Sequence, residues 1–280
     1  LKVDIVSYVD LKDNEALIGE HPEYAQGYQN RLRIGGVKIF LDGSPQGRTA
    51  WMSEPYLGAD SQYCGYPVYT DDQVDAFIDE AMGHHWQLLT HCNGDAAAEQ
   101  LIRCTQRQQA RHPEAAALRP VMIHAQLVRR DQLPRMKALN MTASFFTAHC
   151  WYWGDIHLRN FGQPRGGNIS PMRWAIDEGL NVTMHQDTPV IMPNMLESVE
   201  CACRRVTKGG QALNPELRIT PLEALQAVTI NAAWQYHEED RKGSLEEGKL
   251  ADLVILDRDP LAVPQEELRD IRVLETWKDG

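Results

Sequence analysis

From Arg33 onward, short runs of apolar and β-branched residues alternate with stretches in which apolar positions recur every three or four residues. That alternation is the pattern of a parallel sheet wrapped by helices. Ile34–Leu41, Gln87–Thr90, Pro120–Ile123, Met141–Phe146 and Asn181–Met184 read as strands, with Val3–Val9 as a further candidate. The clearest helix follows Thr70: Thr70 and Gln73 have capping-box spacing, and Val74, Phe77, Ile78 and Ala81 share one face. Ala96–Gln109, Asp131–Leu139, Pro171–Glu178, Met195–Val206 and Pro221–Tyr236 are predicted helices. After Tyr236 the texture changes. In KGSLEEGKLADLVILDRDP a Gly-marked turn leads into the apolar run Leu250–Leu256 and a Pro-bounded loop, which reads as a strand of a different, smaller sheet.

A complete eight-stranded barrel takes about 250 residues, yet only five or six strands can be placed before the helices of residues 195–236. The fold class expected is α/β, a (β/α)8 TIM-type barrel incomplete at its N-terminal side over residues 1–240, with a separate small unit at 241–280. The chain opens on Leu1 and closes on a turn-like Asp279-Gly280, so both ends read as cut.

Catalytic groups of such a barrel stand at the C-terminal ends of its strands. Lys38 within VKIFLDG, His91 after QLLT, His124 after PVMI and Asp187 after NVTMHQ all fall at or just beyond such ends. Neutral imidazole and carboxylate oxygen suit a divalent ion such as zinc. Taken singly, each residue has an ordinary reading: a hydrogen-bonded structural histidine, a turn aspartate before Thr-Pro, a snorkelling lysine. Their shared position on successive strands is what those readings do not require.

The formal net charge of -11 and pI near 5.4 argue against general affinity for nucleic acid or anionic lipid, since both need a basic face. A small-molecule substrate is the expected partner. Six cysteines without a CxxC pair fit a reduced compartment, and no apolar run reaches the roughly 20 residues of a membrane span. A cytoplasmic protein is expected, with any upstream targeting segment left open.

The segments GVKIFLDGSPQGRTA, THCNGDAA, PVMIHAQLV, HQDTPV, ITPLEALQAVTINAA and GSLEEGKLADLVILDRDP, in this order, resemble amidohydrolase family 3 of the metal-dependent amidohydrolase superfamily. The resemblance implies a barrel of the amidohydrolase type with part of an accessory β-sandwich at its C-terminus, hydrolysing a non-peptide C–N bond with one or two zinc-like ions. It implies that His91 and His124 are metal ligands, that Lys38 is a carboxylated lysine bridging two metals, and that Asp187 is both ligand and proton shuttle. Relatives open the barrel with a His-x-His pair, which no two histidines here provide. Truncation explains that absence together with the short strand count, so the chain alone is expected to bind metal weakly or not at all, to be inactive, and to need either oligomerisation or the missing segment to stay soluble.

His185 precedes Asp187 where many relatives carry small residues, and reads as a second-sphere donor, a substrate contact or a buried strand histidine. His149 and Trp151, beyond Met141–Phe146, are candidate pocket residues. Arg48 is a candidate clamp for an anionic group, and Asp95 reads as a helix N-cap. Cys201 and Cys203, two apart on a helix, face away from each other. Two other readings stand: a non-catalytic binding or regulatory barrel of the same ancestry, and a hydrolase of an ester or lactone.

Overall fold

The computed structural model describes every residue except Glu15, Asp60 and Ser61. Six strands, β1 (Ile5–Asp10), β2 (Leu32–Phe40), β3 (Gln87–Cys92), β4 (Val121–His124), β5 (Thr142–Phe145) and β6 (Val182–Met184), form one sheet in the order of the chain. Every neighbouring pair is parallel. Consecutive parallel pairing with helical crossovers is the architecture of a TIM-type barrel, with six of its eight strands among the described residues. Each sequence-predicted strand is present, with its ends shifted by no more than three residues.

The helices are α1 (Leu11–Asn14), α2 (Ala16–Glu20), α3 (Pro22–Gln26), α4 (Asp71–Gly83), α5 (Asp95–Arg111), α6 (Leu133–Ala138), α7 (His149–Gly166), α8 (Met172–Glu178), α9 (Met195–Arg204), α10 (Pro221–Val228) and α11 (Ile230–Gln235). Thr70 and Gln73 close the capping box of α4 as their spacing predicts. The single helix expected at Pro221–Tyr236 is instead two, because Thr229 takes φ -125° and ψ -97°. The whole of α7 went unpredicted, and it carries Gly162 at a non-helical φ 71° and ψ 174° and Pro164 within the assigned helix. Apart from these layers, β7 (Leu253–Leu256) and β8 (Val273–Trp277) form a small antiparallel sheet. No described helix is long and apolar enough to cross a membrane.

The core lies between strands and helices. Val37, Ile39, Met122 and Phe145 on the sheet, with Leu41 directly after β2, pack with Ile78, Leu101, Ile102 and Met136 on the helices, all buried. Each such side chain contributes about 1.5–3 kcal/mol through apolar burial. A buried Arg205 does a different task. It follows α9 with left-handed φ 49°, and its guanidinium donates to the carbonyls of Gly167 (3.1 Å), Ile169 (2.7 Å) and Ser170 (3.0 Å). Ser170 in turn donates its N–H to Gln126 O at 2.7 Å, two residues beyond His124. Arg205→Met leaves those carbonyls without donors, so a loss of about 3 kcal/mol or more is expected, read as a lower midpoint in urea denaturation.

Candidate functional site

Parallel register brings the strand ends together. Phe40 on β2 stands opposite His91 on β3, Cys92 on β3 opposite His124 on β4, and His124 opposite Phe145 on β5. His91 Nδ1 and His124 Nε2 face each other at 3.1 Å, with ring centroids 4.5 Å apart and nearly perpendicular. On its far side, His124 Nδ1 lies 3.1 Å from His185 Nε2, and His185 Nδ1 lies 3.0 Å from Ser144 Oγ. Four strands or strand ends thus contribute to one line of polar side chains.

The outer nitrogen of His91 meets mostly acceptors. Nε2 lies 3.2 Å from Gly43 O and 3.5 Å from Asp42 Oδ1, while Asn93 Nδ2, 3.1 Å from the same nitrogen, donates to Gly43 O at 2.9 Å. A carbonyl only accepts, so it favours the proton on Nε2 and the lone pair on Nδ1. Burial pushes His91 below the ordinary histidine range, and Lys38 adds to that shift. Burial, with the neighbouring histidines, pushes His124 well below it. Both rings are held neutral, the ligating form.

His124 and Asp187 take left-handed backbone, φ 72° and 52°. This is uncommon for residues other than glycine and clusters at functional sites. The Asp187 side chain is exposed. Lys38 is half-buried, its Nζ 4.7 Å from the Phe40 ring centroid; burial pushes its amine down, opposed by the charges of Asp187 and Asp10.

Two tetrahedral ligand nitrogens, each about 2.0–2.1 Å from zinc, stand about 3.3 Å apart, close to the His91–His124 separation. The donor set suits a divalent ion. Among the described residues no three His, Cys, Asp or Glu groups are close enough together to hold one, so the pair is the assembled part.

The remaining candidates divide. His149, the first residue of α7, is buried with its ring 5.9 Å from that of His124 and 4.3 Å from that of Phe146; its Nδ1 has no partner among the described residues. Trp151 packs under the Arg269 guanidinium at 4.4 Å, and it is Trp153 that stands beside His149, at 5.5 Å. Arg48 donates to Asn160 Oδ1 (3.1 Å) and Leu57 O (3.2 Å), which ties its loop to α7. Both ring nitrogens of His185 are taken by His124 and Ser144. Gly94, not Asp95, caps α5; Asp95 accepts from Ser53 N at 2.9 Å and Arg129 Nη1 at 3.0 Å. Cys201 and Cys203 are free and buried in α9.

Residues 2–280 match the amidohydrolase family. The chain belongs to that family. It is 28% identical over 254 residues to the N-substituted formamide deformylase of Arthrobacter pascens, covering 89% of this chain and 45% of that protein. Two solved structures resemble this chain, both described as uncharacterized metal-dependent hydrolases. The one from Pyrococcus horikoshii OT3 has a TM-score of 0.79 at 26% identity, over 94% of this chain and 52% of its own. The one from Pyrococcus furiosus has a TM-score of 0.76 at 29% identity, over 93% and 52%. The chain spans about half the length of the relatives it matches.

Asp42 is a residue that sequence reasoning passed over. Fully buried beneath His91, it accepts from the backbone N–H groups of Trp51 (2.9 Å), Asn93 (2.9 Å) and Gly94 (2.7 Å). Burial pushes its carboxyl up to about 7, against the pull of those three donors. A Cβ on Gly94 would meet Trp51 O at 1.9 Å, so glycine there lets the two loops close on Asp42. The available signal was an aspartate directly after an apolar run, the same placement as His91 and His124.

Proposed function

We propose that this amidohydrolase hydrolyses an amide-type, non-peptide C–N bond in a small molecule with the help of one or two divalent ions, zinc foremost. The observation that carries the reading is the pair of neutral imidazoles whose Nδ1 and Nε2 converge at 3.1 Å at the C-terminal end of adjacent strands. Family membership and likeness to a formamide deformylase support the C–N bond, and likeness to metal-dependent hydrolases supports the ion.

His91 and His124 would hold the ion, with Asp187 and a carboxylated Lys38 completing this chain's share of the ligands. When bound, a divalent ion supplies a Lewis acid for the carbonyl and water acidified toward neutral pH. Asp187 takes the proton from the attacking water as general base and returns it to the leaving nitrogen as general acid. Burial favours the neutral amine of Lys38, the form that adds to carbon dioxide. Asp42 and Gly43 keep His91 turned so that Nδ1 faces His124.

A panel of N-substituted formamides and other N-acyl amides, with matched esters and lactones, tests the proposal on the full-length protein after chelation and again after zinc is restored. Zinc-dependent release of amine from the amides is expected. Cleavage of the esters or lactones alone moves the assignment to a C–O bond, and turnover untouched by chelation overturns the metal-dependent reading.

A further inference from the structure

We propose that His185 and Ser144 form a reversible hydrogen-bond relay that sets the tautomer of His124 and changes direction when an ion is bound. The inference rests on the metal-centre reading and assigns a positioning role to two residues outside the ligand set.

The argument counts protons along the line His91–His124–His185–Ser144, whose gaps are 3.1, 3.1 and 3.0 Å. Each gap holds one proton if it is a hydrogen bond. Gly43 O keeps the His91 proton on Nε2, so Nδ1 offers a lone pair to His124. Without an ion, His124 must then carry its proton on Nε2 and donate to His91. Its Nδ1 is left as an acceptor, His185 donates from Nε2, and Ser144 donates its hydroxyl proton to His185 Nδ1. With an ion, both facing nitrogens must present lone pairs. The proton on His124 Nε2 leaves to solvent, His185 Nε2 passes its proton to His124 Nδ1, Ser144 passes its hydroxyl proton to His185 Nδ1 and regains one from solvent, so that His124 then donates to His185 Nε2 and His185 to Ser144 Oγ. Neither ring changes charge.

The terminus decides whether such a reversal is possible. A carbonyl or carboxylate there could only accept, and an amide N–H could only donate, so either would lock one direction. A hydroxyl does both. Ser144 is buried, and His185 Nδ1 is the only hydrogen-bond partner of its Oγ among the described residues, so the hydroxyl can turn its proton away when His185 donates. His185 takes the place usually held by the carbonyl or carboxylate behind a ligating histidine, and the serine makes that place switchable.

Imidazole 15N NMR on the 280-residue chain, free of metal and titrated with zinc, reads the tautomers directly. The proposal expects His124 and His185 both protonated at Nε2 without metal and both at Nδ1 with zinc. Zinc affinity is measured in parallel by competition with a chromogenic chelator. His185→Phe should weaken it by about 10–100-fold, the range for outer-sphere partners, and His185→Gln, whose amide can turn to donate or accept, should restore most of it. Zinc binding with unchanged tautomers, or with unchanged affinity in His185→Phe, overturns the relay and leaves the metal centre standing. A chain that binds no zinc overturns the metal-centre reading and the relay with it; Nδ1 tautomers in the metal-free protein overturn the relay alone.

Discussion

Asp187→Asn in the full-length protein is expected to lower kcat/KM for the amide substrate by about 10²–10⁴-fold, the contribution of a positioned general acid–base, while zinc stays bound. The substitution isolates the charge. Asp187 adopts φ 52°, a left-handed conformation that asparagine tolerates as well as aspartate does, and the side chain is exposed, so neither backbone strain nor core packing is disturbed. Loss of the carboxylate removes the base for the attacking water and the acid for the leaving nitrogen together. Steady-state rates on a formamide, with bound zinc quantified in the same samples, check it. Near-normal turnover would transfer the proton to another group.

His124→Ala has the other large effect. A structural zinc site is worth about 10–16 kcal/mol over four ligands, so one ligand accounts for roughly 3 kcal/mol, or about 10²-fold in affinity. The loss should exceed that of His185→Phe, because His124 meets both His91 and His185. Its removal frees two neighbours at once. Chelator competition against zinc gives the ratio, and a thermal melt shows whether the fold survives. Equal affinities in the variant and the parent chain would place the ion elsewhere.

The barrel was legible because its strands are short apolar runs bounded by turn residues, and the candidate ligands because they sit at the same end of successive runs. Lys38, His91, His124 and Asp187 need only that regularity. What escaped depends on contacts between elements. His149–Gly166 mixes His, Trp, Gly and Pro, and its buried residues include His149, His157 and Asn160, so no apolar stripe announces a helix. Thr229 breaks the Pro221–Tyr236 stretch through backbone geometry, without a proline or glycine at the break. Arg205 would be placed on the surface by composition alone, yet three carbonyls brought together by the turn before α8 draw it inside. Asp42 was hidden because a buried carboxylate is credible only once three N–H donors, from its own loop and from the one after β3, surround it. The contact of Ser144 with His185 joins the ends of β5 and β6, forty-one residues apart, and depends on the register of that pair.

Anomalous scattering from zinc-loaded crystals of the chain tests the central claim most directly. A peak within about 2.1 Å of both His91 Nδ1 and His124 Nε2 is the result expected. Loaded crystals with the two rings still 3.1 Å apart and no peak between them would contradict it.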